Sequence, residues 1–231
     1  MKAPGILITG ALAVLAIAVS SCANSGTQSA GSTPPAGVAN SPPPPAAAAA
    51  KSSPVSVPLT QYFNDQGIYP DGVQFTNGID GDGFACSSNV LAGQTWNGMP
   101  VLPGSDNGGT NDITCAGQTI ALTQPGHFSR LEILALAVNG AQENQDFTVN
   151  YADGSNKTFT QSLSDWAGPD SYPGESVAIT MNYRNGSDGT KDDNAYYIFS
   201  YTFDLDSSKT LQGLKLPDNS NVKVFALAVA P

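Results

Sequence analysis

The chain contains 231 residues and carries nine basic against nineteen acidic side chains, a formal net charge of −10. This length accommodates one domain with extensions and excludes two full-size enzymatic domains. The acidic excess has the wrong sign for a partner made of phosphates, so we expect no nucleic-acid binding. With 24 glycines, 17 prolines and only 12% charged residues, the composition favours short strands joined by many turns over long helices.

The N-terminus has the pattern of a secretory signal. Lys2 supplies one positive charge, and an almost wholly apolar run follows from residue 6 to residue 19. This run is too short to span a bilayer comfortably. The sequence Val19-Ser-Ser-Cys22 resembles the bacterial lipobox, whose cysteine is acylated and becomes the mature N-terminus. We therefore expect a signal peptide over residues 1–21, lipidation at Cys22 and an exported protein anchored to the cell membrane or outer membrane. The alternative is an ordinary cleavage site with an incidental cysteine.

Residues 22–58 have the composition of a disordered linker. Between residues 23 and 58 there is no aromatic or acidic residue, one base, Lys51, and eight of the seventeen prolines. A segment with so little to bury cannot offset the entropy of its own ordering. We expect a lipid-anchored tether rich in proline, alanine and serine that carries an extracytoplasmic domain, residues 59–231. This domain holds seven bases and all nineteen acids, a formal charge of −12, so we expect it to contact the membrane only through the anchor.

Residues 59–231 have the pattern of an antiparallel β-sandwich. Asn-Gly and Asp-Gly turn signals recur at short intervals. Alternation at 147–151, a turn at Asp153-Gly154 and alternation at 157–160 predict a hairpin. Strand-like runs lie between the turns at 118–123, 131–138, 147–151, 157–163, 177–183, 196–205 and 222–229. We predict two packed sheets of about eight to ten strands in an all-β, jelly-roll-like antiparallel β-sandwich.

Cys86 and Cys115 are the only cysteines in residues 59–231. An exported domain lies in an oxidising compartment, which favours pairing them in a disulfide. The enclosed stretch contains five glycines and few residues able to form a core. A bridge there would stabilise the fold by roughly 3 to 4 kcal/mol. The close C-x-x-C spacing of a redox pair is absent, so we expect a structural bridge, with a redox pair as the alternative.

Six short motifs give the domain a family resemblance. They are, in chain order, Asp80-Gly-Asp-Gly-Phe-Ala-Cys-Ser-Ser-Asn-Val-Leu91, Ala116-Gly-Gln-Thr-Ile-Ala-Leu122, Tyr151-Ala-Asp-Gly154, Ser164-Asp-Trp166, Tyr183-Arg-Asn-Gly186 and Leu216-Pro-Asp-Asn219. From about residue 62 to residue 229 the chain resembles an accessory β-sandwich module, similar to galactose-binding-like folds. Such modules are attached to secreted bacterial glycoside hydrolases of the α-mannosidase type and to phosphoesterases. The resemblance implies a jelly-roll sandwich without its own active site, and Cys86 and Cys115 depart from the family pattern.

The sequence offers little for catalysis. His127 is the only histidine, so a zinc site rich in histidine cannot form, and the G-x-S-x-G elbow is absent. Nothing singles out a pair of carboxylates for glycoside hydrolysis. We therefore expect no enzyme activity, with an uncharacterised hydrolase as the less favoured alternative.

Asp80 and Asp82 are the candidate metal ligands. They place alternate carboxylates on a flexible turn, which suits a structural calcium ion because calcium tolerates an irregular set of oxygen ligands. The same residues also form an ordinary turn that opens a strand, and this is the favoured interpretation. No other cofactor is expected.

Trp166, Tyr172 and Trp96 are the candidate ligand-binding residues. Sugar rings present apolar C–H faces that stack on flat side chains, while amides and carboxylates bind the hydroxyls. Trp166 and Tyr172 flank a loop sequence, residues 167–171, and form the candidate sugar platform. For Trp166 itself the favoured interpretation is that it closes the end of the sandwich core, because a tryptophan that ends a strand usually packs inward.

Together these patterns predict a surface-anchored, non-catalytic lipoprotein whose sandwich binds a carbohydrate or another envelope component. The carbohydrate part depends on the resemblance and on fold analogy, which does not fix function. The alternative is an interaction module that docks on an exported enzyme or envelope protein without binding sugar. An exposed aromatic groove would favour the first function, and a flat apolar patch the second.

Overall fold

The structure is a computed structural model that describes residues 53–102 and 108–231. The predicted signal peptide, the lipidation site at Cys22 and most of the predicted linker lie outside the described residues. The end of that linker is described, and its residues Val55–Val57 form the first strand, β1, which pairs with the last strand of the chain. The folded domain therefore begins before residue 59, the boundary that composition predicted. Composition missed this strand because three residues between prolines carry almost no hydrophobic pattern.

Regular secondary structure in the described residues is almost entirely β-strand, which confirms the predicted all-β class. The strands are β1 (Val55–Val57), β2 (Ile68–Tyr69), β3 (Phe84–Ser87), β4 (Thr95–Trp96), β5 (Met99–Pro100), β6 (Ile113–Thr114), β7 (Thr119–His127), β8 (Arg130–Ala137), β9 (Gln142–Tyr151), β10 (Asn156–Leu163), β11 (Glu175–Met181), β12 (Arg184–Gly186), β13 (Lys191–Asp192), β14 (Tyr196–Asp204), β15 (Thr210–Lys215) and β16 (Val222–Ala230). Helical structure in these residues is limited to a 3-10 turn, Thr60–Tyr62, and one short helix, α1 (Ser88–Leu91). Neither has the length and apolar character of a membrane span.

Two antiparallel sheets form the sandwich. The first has the order β1-β16-β8-β14-β11, with β6 also paired to β16, and the second has the order β10-β9-β15-β7. Side chains from the two sheets meet in the core. Phe203 of β14 lies 5.5 Å from Phe147 of β9 and stacks on Phe159 of β10 with ring centroids 4.8 Å apart. These contacts between facing sheets confirm the predicted sandwich.

The strands follow the patterns that predicted them. Residues 131–138 are all buried, as expected for a central strand, and β8 indeed lies between β16 and β14. On β9 the alternate residues Phe147, Val149 and Tyr151 are buried while their neighbours are only partly covered. The predicted hairpin is present, because β9 and β10 pair antiparallel around the turn at Asp153-Gly154. Alternation therefore gave the β9–β10 hairpin correctly, and continuous apolar character gave the central strand β8.

A smaller sheet of four short strands lies beside the two main sheets in the chain's topology and is separate from them in hydrogen bonding. Its order is β13-β12-β3-β2, and β2 and β3 run parallel to each other. Parallel neighbours require a crossover, and here residues 70–83 make it. This segment, the β2–β3 loop, packs against the β12–β13 hairpin.

Candidate functional site

Trp166 does not form the predicted platform. Its side chain is only 2% exposed, and its ring packs on Tyr196 with centroids 5.1 Å apart. The backbone holds it in place, because Trp166 N–H donates to Ala137 O and the Trp166 carbonyl accepts from Tyr197 N–H. The ring is therefore part of the core, the interpretation that the sequence favoured for it.

The other two candidate rings are not brought together with Trp166. Trp96 lies on β4 in the two-stranded β4–β5 hairpin, and at 8% exposure it belongs to the core cluster. Tyr172 is half-buried in the loop before β11, where its hydroxyl lies 3.5 Å from Glu143 Oε1. With two of the three rings buried, the sugar platform predicted at these residues is wrong. A tryptophan next to a loop sequence can pack inward or outward, and the sequence pattern alone does not settle the direction.

Asp80 accepts hydrogen bonds within its own turn and lies near a cationic side chain. Its Oδ1 accepts hydrogen bonds from the backbone N–H groups of Asp82 and Phe84. Its Oδ2 lies 3.7 Å from the guanidinium of Arg184, a positive charge that repels a cation. Asp82 is exposed, and within the described ranges no three potential ligands come together for a metal ion. The two residues therefore lie in a turn that Asp80 stabilises, and a calcium ion there stays a prediction.

Cys86 and Cys115 are free and buried, so the predicted disulfide is not present in the structure. Cys86 pairs with Ile68 between β3 and β2, and Cys115 donates its N–H to Val222 O. Burial raises the pKa of both thiols, that of Cys115 to about 12. Enclosed neutral thiols are poor nucleophiles. Both cysteines therefore pack as small apolar side chains.

An open aromatic groove lies beside the β2–β3 loop. It has a volume of about 570 Å³ and is lined mainly by Gln66, Tyr69, Val73, Gln74, Phe75 and Thr76. The rings of Tyr69 and Phe75 stack with centroids 4.2 Å apart and planes inclined by 15°. The aromatic groove thus combines flat apolar faces with amide and hydroxyl groups.

Asp71 fixes the start of the β2–β3 loop. Its carboxylate accepts hydrogen bonds from Ser87 Oγ at 2.5 Å, Tyr183 Oη at 2.7 Å and Lys191 Nζ at 2.7 Å. Burial opposes the ionisation of Asp71, but the donors outweigh it and lower the pKa of this carboxyl to about 2. The loop is therefore tied to β3 and to the β12–β13 hairpin through one ionised side chain.

Hydrogen bonds to backbone groups hold the rest of the loop. Phe75 N–H donates to Ser187 O at 3.1 Å, and Asn185 Nδ2 donates to Tyr69 O at 2.9 Å. Gly78 has a φ of +72°, and a Cβ there would lie 2.1 Å from Phe84 O, so only glycine fits. Both ends of the aromatic groove are therefore anchored before any ligand arrives, which lowers the entropy cost of binding.

A buried carboxyl supports the segment that leads into Tyr69. Asp112 is 0% exposed, and its Oδ1 accepts from Gly67 N–H at 2.7 Å. Its Oδ2 has no hydrogen-bond partner among the described residues. Burial, and then the charge of nearby Asp65, raise the pKa of Asp112 to about 7, although Lys223 acts in the opposite direction. Lys223 itself pairs with Asp65 at 2.7 Å.

Arg184 joins the small sheet to the core. Its guanidinium lies 3.5 Å from the centroid of the Phe84 ring and 4.5 Å from that of Tyr196. It also pairs with Asp192 at 3.0 Å. The planar cation is thus enclosed by aromatic faces and a carboxylate, and it stabilises the sheet that carries the β2–β3 loop.

Sequence reasoning missed the aromatic groove. The surrounding stretch was recognised only for its turn signals, Asp71-Gly72 and Asn77-Gly78. The available signal is that Val73 and Phe75, both large and apolar, follow Tyr69 of β2 inside a stretch of turns instead of inside a strand. Large apolar side chains in a loop are unusual unless the loop packs or binds something.

The fold and the groove define a β-sandwich domain with a preformed aromatic surface site. A profile of the family described as AziU2-like beta-sandwich domain matches residues 51–231, and the chain belongs to this family. The comparison with curated proteins found no match to the chain. The sandwich that the resemblance implied is therefore confirmed, whereas the galactose-binding-like character and the lipoprotein context stay predictions.

Proposed function

We propose that the protein is a non-catalytic, lipid-anchored module of the cell envelope that binds carbohydrate in the aromatic groove. The observation that carries the proposal is the stacked pair Tyr69 and Phe75, whose groove also presents amide and hydroxyl groups. Aromatic faces stack on the C–H faces of sugar rings, and amides exchange hydrogen bonds with sugar hydroxyls. An aromatic groove of this composition favours a glycan ligand over a flat docking surface.

Binding should be weak. The aromatic groove is open, so a bound sugar buries little area against the entropy of association, and we expect dissociation constants from about ten micromolar to about a millimolar. The anchored loop partly offsets this, because little ordering is required on binding. Weak single sites suit a surface protein that meets a repeating polymer.

Lipidation at Cys22 supplies the anchor in this proposal. Metabolic labelling with a fatty-acid analogue should mark the protein, and Cys22→Ala should abolish the label and release the protein from membranes. The matched control is Cys115→Ala, which removes a cysteine of the sandwich. Label that persists in Cys22→Ala would contradict the anchor.

A glycan array tests the binding function. We would apply the full-length protein in detergent to an array of bacterial and plant oligosaccharides and measure the affinity of each hit by titration calorimetry. Phe75→Ala should weaken binding about tenfold or more, since it removes half of the stacked pair. Tyr172→Ala is the matched control, because Tyr172 is also a half-buried loop aromatic, and it should change binding less than about twofold. Failure of every glycan to bind would favour the interaction module instead.

A further inference from the structure

We infer that the aromatic groove takes uncharged sugars and excludes anionic ones such as uronic acids and phosphorylated sugars. This inference rests on the proposed function and specifies its ligand class. Its first support is the lining itself, because no side chain that lines the groove in the described part of the chain carries a charge. An anionic group placed there would lose water without gaining a cation, which is costly.

Most basic side chains of the described residues already form ion pairs with carboxylates. The described residues contain seven bases, and five of them form ion pairs: Arg130 with Glu132, Arg184 with Asp192, Lys191 with Asp71, Lys209 with Asp153, and Lys223 with Asp65. The remaining two, Lys157 and Lys215, lie on β10 and β15 in the second main sheet. None of the seven lines the groove. Recruiting one of the paired bases to an anionic ligand would take the cationic partner away from its carboxylate.

Two acidic side chains act on Tyr69 of the groove, although one of them, Asp65, is paired with Lys223. Tyr69 lies in the field of Asp65 and Asp112, and burial followed by these two charges raises the pKa of the Tyr69 phenol. The domain as a whole carries seven bases against nineteen acids, so its long-range field also repels anions. Neutral hydroxyl-rich rings avoid both penalties while keeping the stacking contact.

Matched pairs of oligosaccharides test this inference. The full-length protein in detergent would be titrated with galactan and galacturonan, glucan and glucuronan, and mannan and mannuronan oligomers of equal length. At least one neutral member should bind, and its uronic partner should bind about tenfold more weakly or not at all. The affinity of the neutral member should change less than about twofold between about 50 and 500 mM salt, since no ion pair forms.

The outcomes separate the two proposals. If no member of any pair binds, and the wider array is also negative, carbohydrate binding fails. If a uronic member binds within about threefold of its neutral partner and Phe75→Ala abolishes both, the groove is a sugar site and the inference about charge is overturned.

A gain-of-function variant sharpens the test. Gln74→Lys places a cation at the groove, on an exposed side chain, and should improve binding of the uronic partner at least about threefold at low salt. Gln212→Lys, on an exposed position of β15, is the matched control and should leave the ratio unchanged. An equal improvement in both variants would show that net charge, and not the groove, sets the selectivity, and would overturn the inference.

Discussion

Replacing Asp112 by asparagine should remove a pH dependence of stability that this buried carboxyl imposes on the domain. Asp112 is 0% exposed. The charged groups that face it are Asp65, which raises its pKa, and Lys223, which lowers it. Asparagine keeps a carbonyl oxygen for the N–H of Gly67, the hydrogen bond that Asp112 Oδ1 accepts in the structure. The substitution therefore removes the ionisation while preserving the contact that supports the aromatic groove.

The magnitude follows from the two pKa values. The pKa of Asp112 is 3.8 in an unperturbed chain, whereas burial and the charge of Asp65 raise it to about 7 in the fold. Below the lower value both states bind the proton. Between the two values only the folded state binds the proton. The stabilisation that this proton gives the folded state therefore decreases as the pH rises and is gone above about pH 7. The whole loss is roughly 4 kcal/mol, of which about 2 to 3 kcal/mol falls between pH 5 and pH 7.5.

Urea unfolding measures this loss. Trp96 and Trp166 are both buried, so their fluorescence reports unfolding at each pH from 5 to 7.5. Over this range the free energy of unfolding should fall by about 2 to 3 kcal/mol more in the wild-type protein than in Asp112→Asn. Asp193→Asn, an exposed aspartate near the β12–β13 hairpin, is the control and should keep the wild-type slope. Equal slopes in wild type and Asp112→Asn would refute the reasoning.

Three further predictions concern the structure around the groove and the core. Arg184→Ala should lower the free energy of unfolding, measured in urea, by about 2 to 3 kcal/mol. Arg184→Lys should restore less than half of this loss, because an ammonium lacks the planar face that stacks on an aromatic ring. Full recovery of stability in Arg184→Lys would argue against the stacking. Trp166→Ala should lower the free energy of unfolding by about 3 to 5 kcal/mol, because it truncates a core side chain, and should leave the glycan affinity of the folded protein unchanged. Unchanged stability together with weaker glycan binding would restore the predicted platform. Ellman's reagent should detect the thiols of Cys86 and Cys115 in unfolded, unreduced protein but not in native protein. If these two thiols fail to react after unfolding, the predicted disulfide is restored.

The sequence predicted the main strands because their signal is local. A strand with one covered face alternates with period two, and β9 shows this at Phe147, Val149 and Tyr151. The turn at Asp153-Gly154 then determines the hairpin partner. Neighbouring residues alone carry this information, so no knowledge of the tertiary structure is needed.

The sequence failed where tertiary contacts decide. The strand β15 was missed because its Gly213 is typical of a turn. In the structure a Cβ at Gly213 would lie 2.6 Å from Ile120 O, so the glycine permits close pairing with β7. The direction of the Trp166 ring stayed open in the sequence because it depends on packing against Tyr196, thirty residues later.

The aromatic groove was out of reach of the sequence for the same reason. It requires β2 and β3 to pair in parallel and the loop between them to be tied down by Tyr183 and Lys191, which lie more than a hundred residues from Asp71. Side chains so distant in sequence leave no local pattern. The turn signals in the loop were visible, but the stacking of Tyr69 on Phe75 that they permit was not.

Binding of a neutral glycan in the aromatic groove is tested most directly by mapping the bound sugar with backbone amide chemical shifts. The ligand is the tightest neutral oligosaccharide from the array, titrated into isotope-labelled protein. We predict that the largest shift changes fall in residues 66–76, with the amides of Tyr69 and Phe75 among them. Changes centred on Tyr172 and its loop, with residues 66–76 unmoved, would contradict the groove as the binding site.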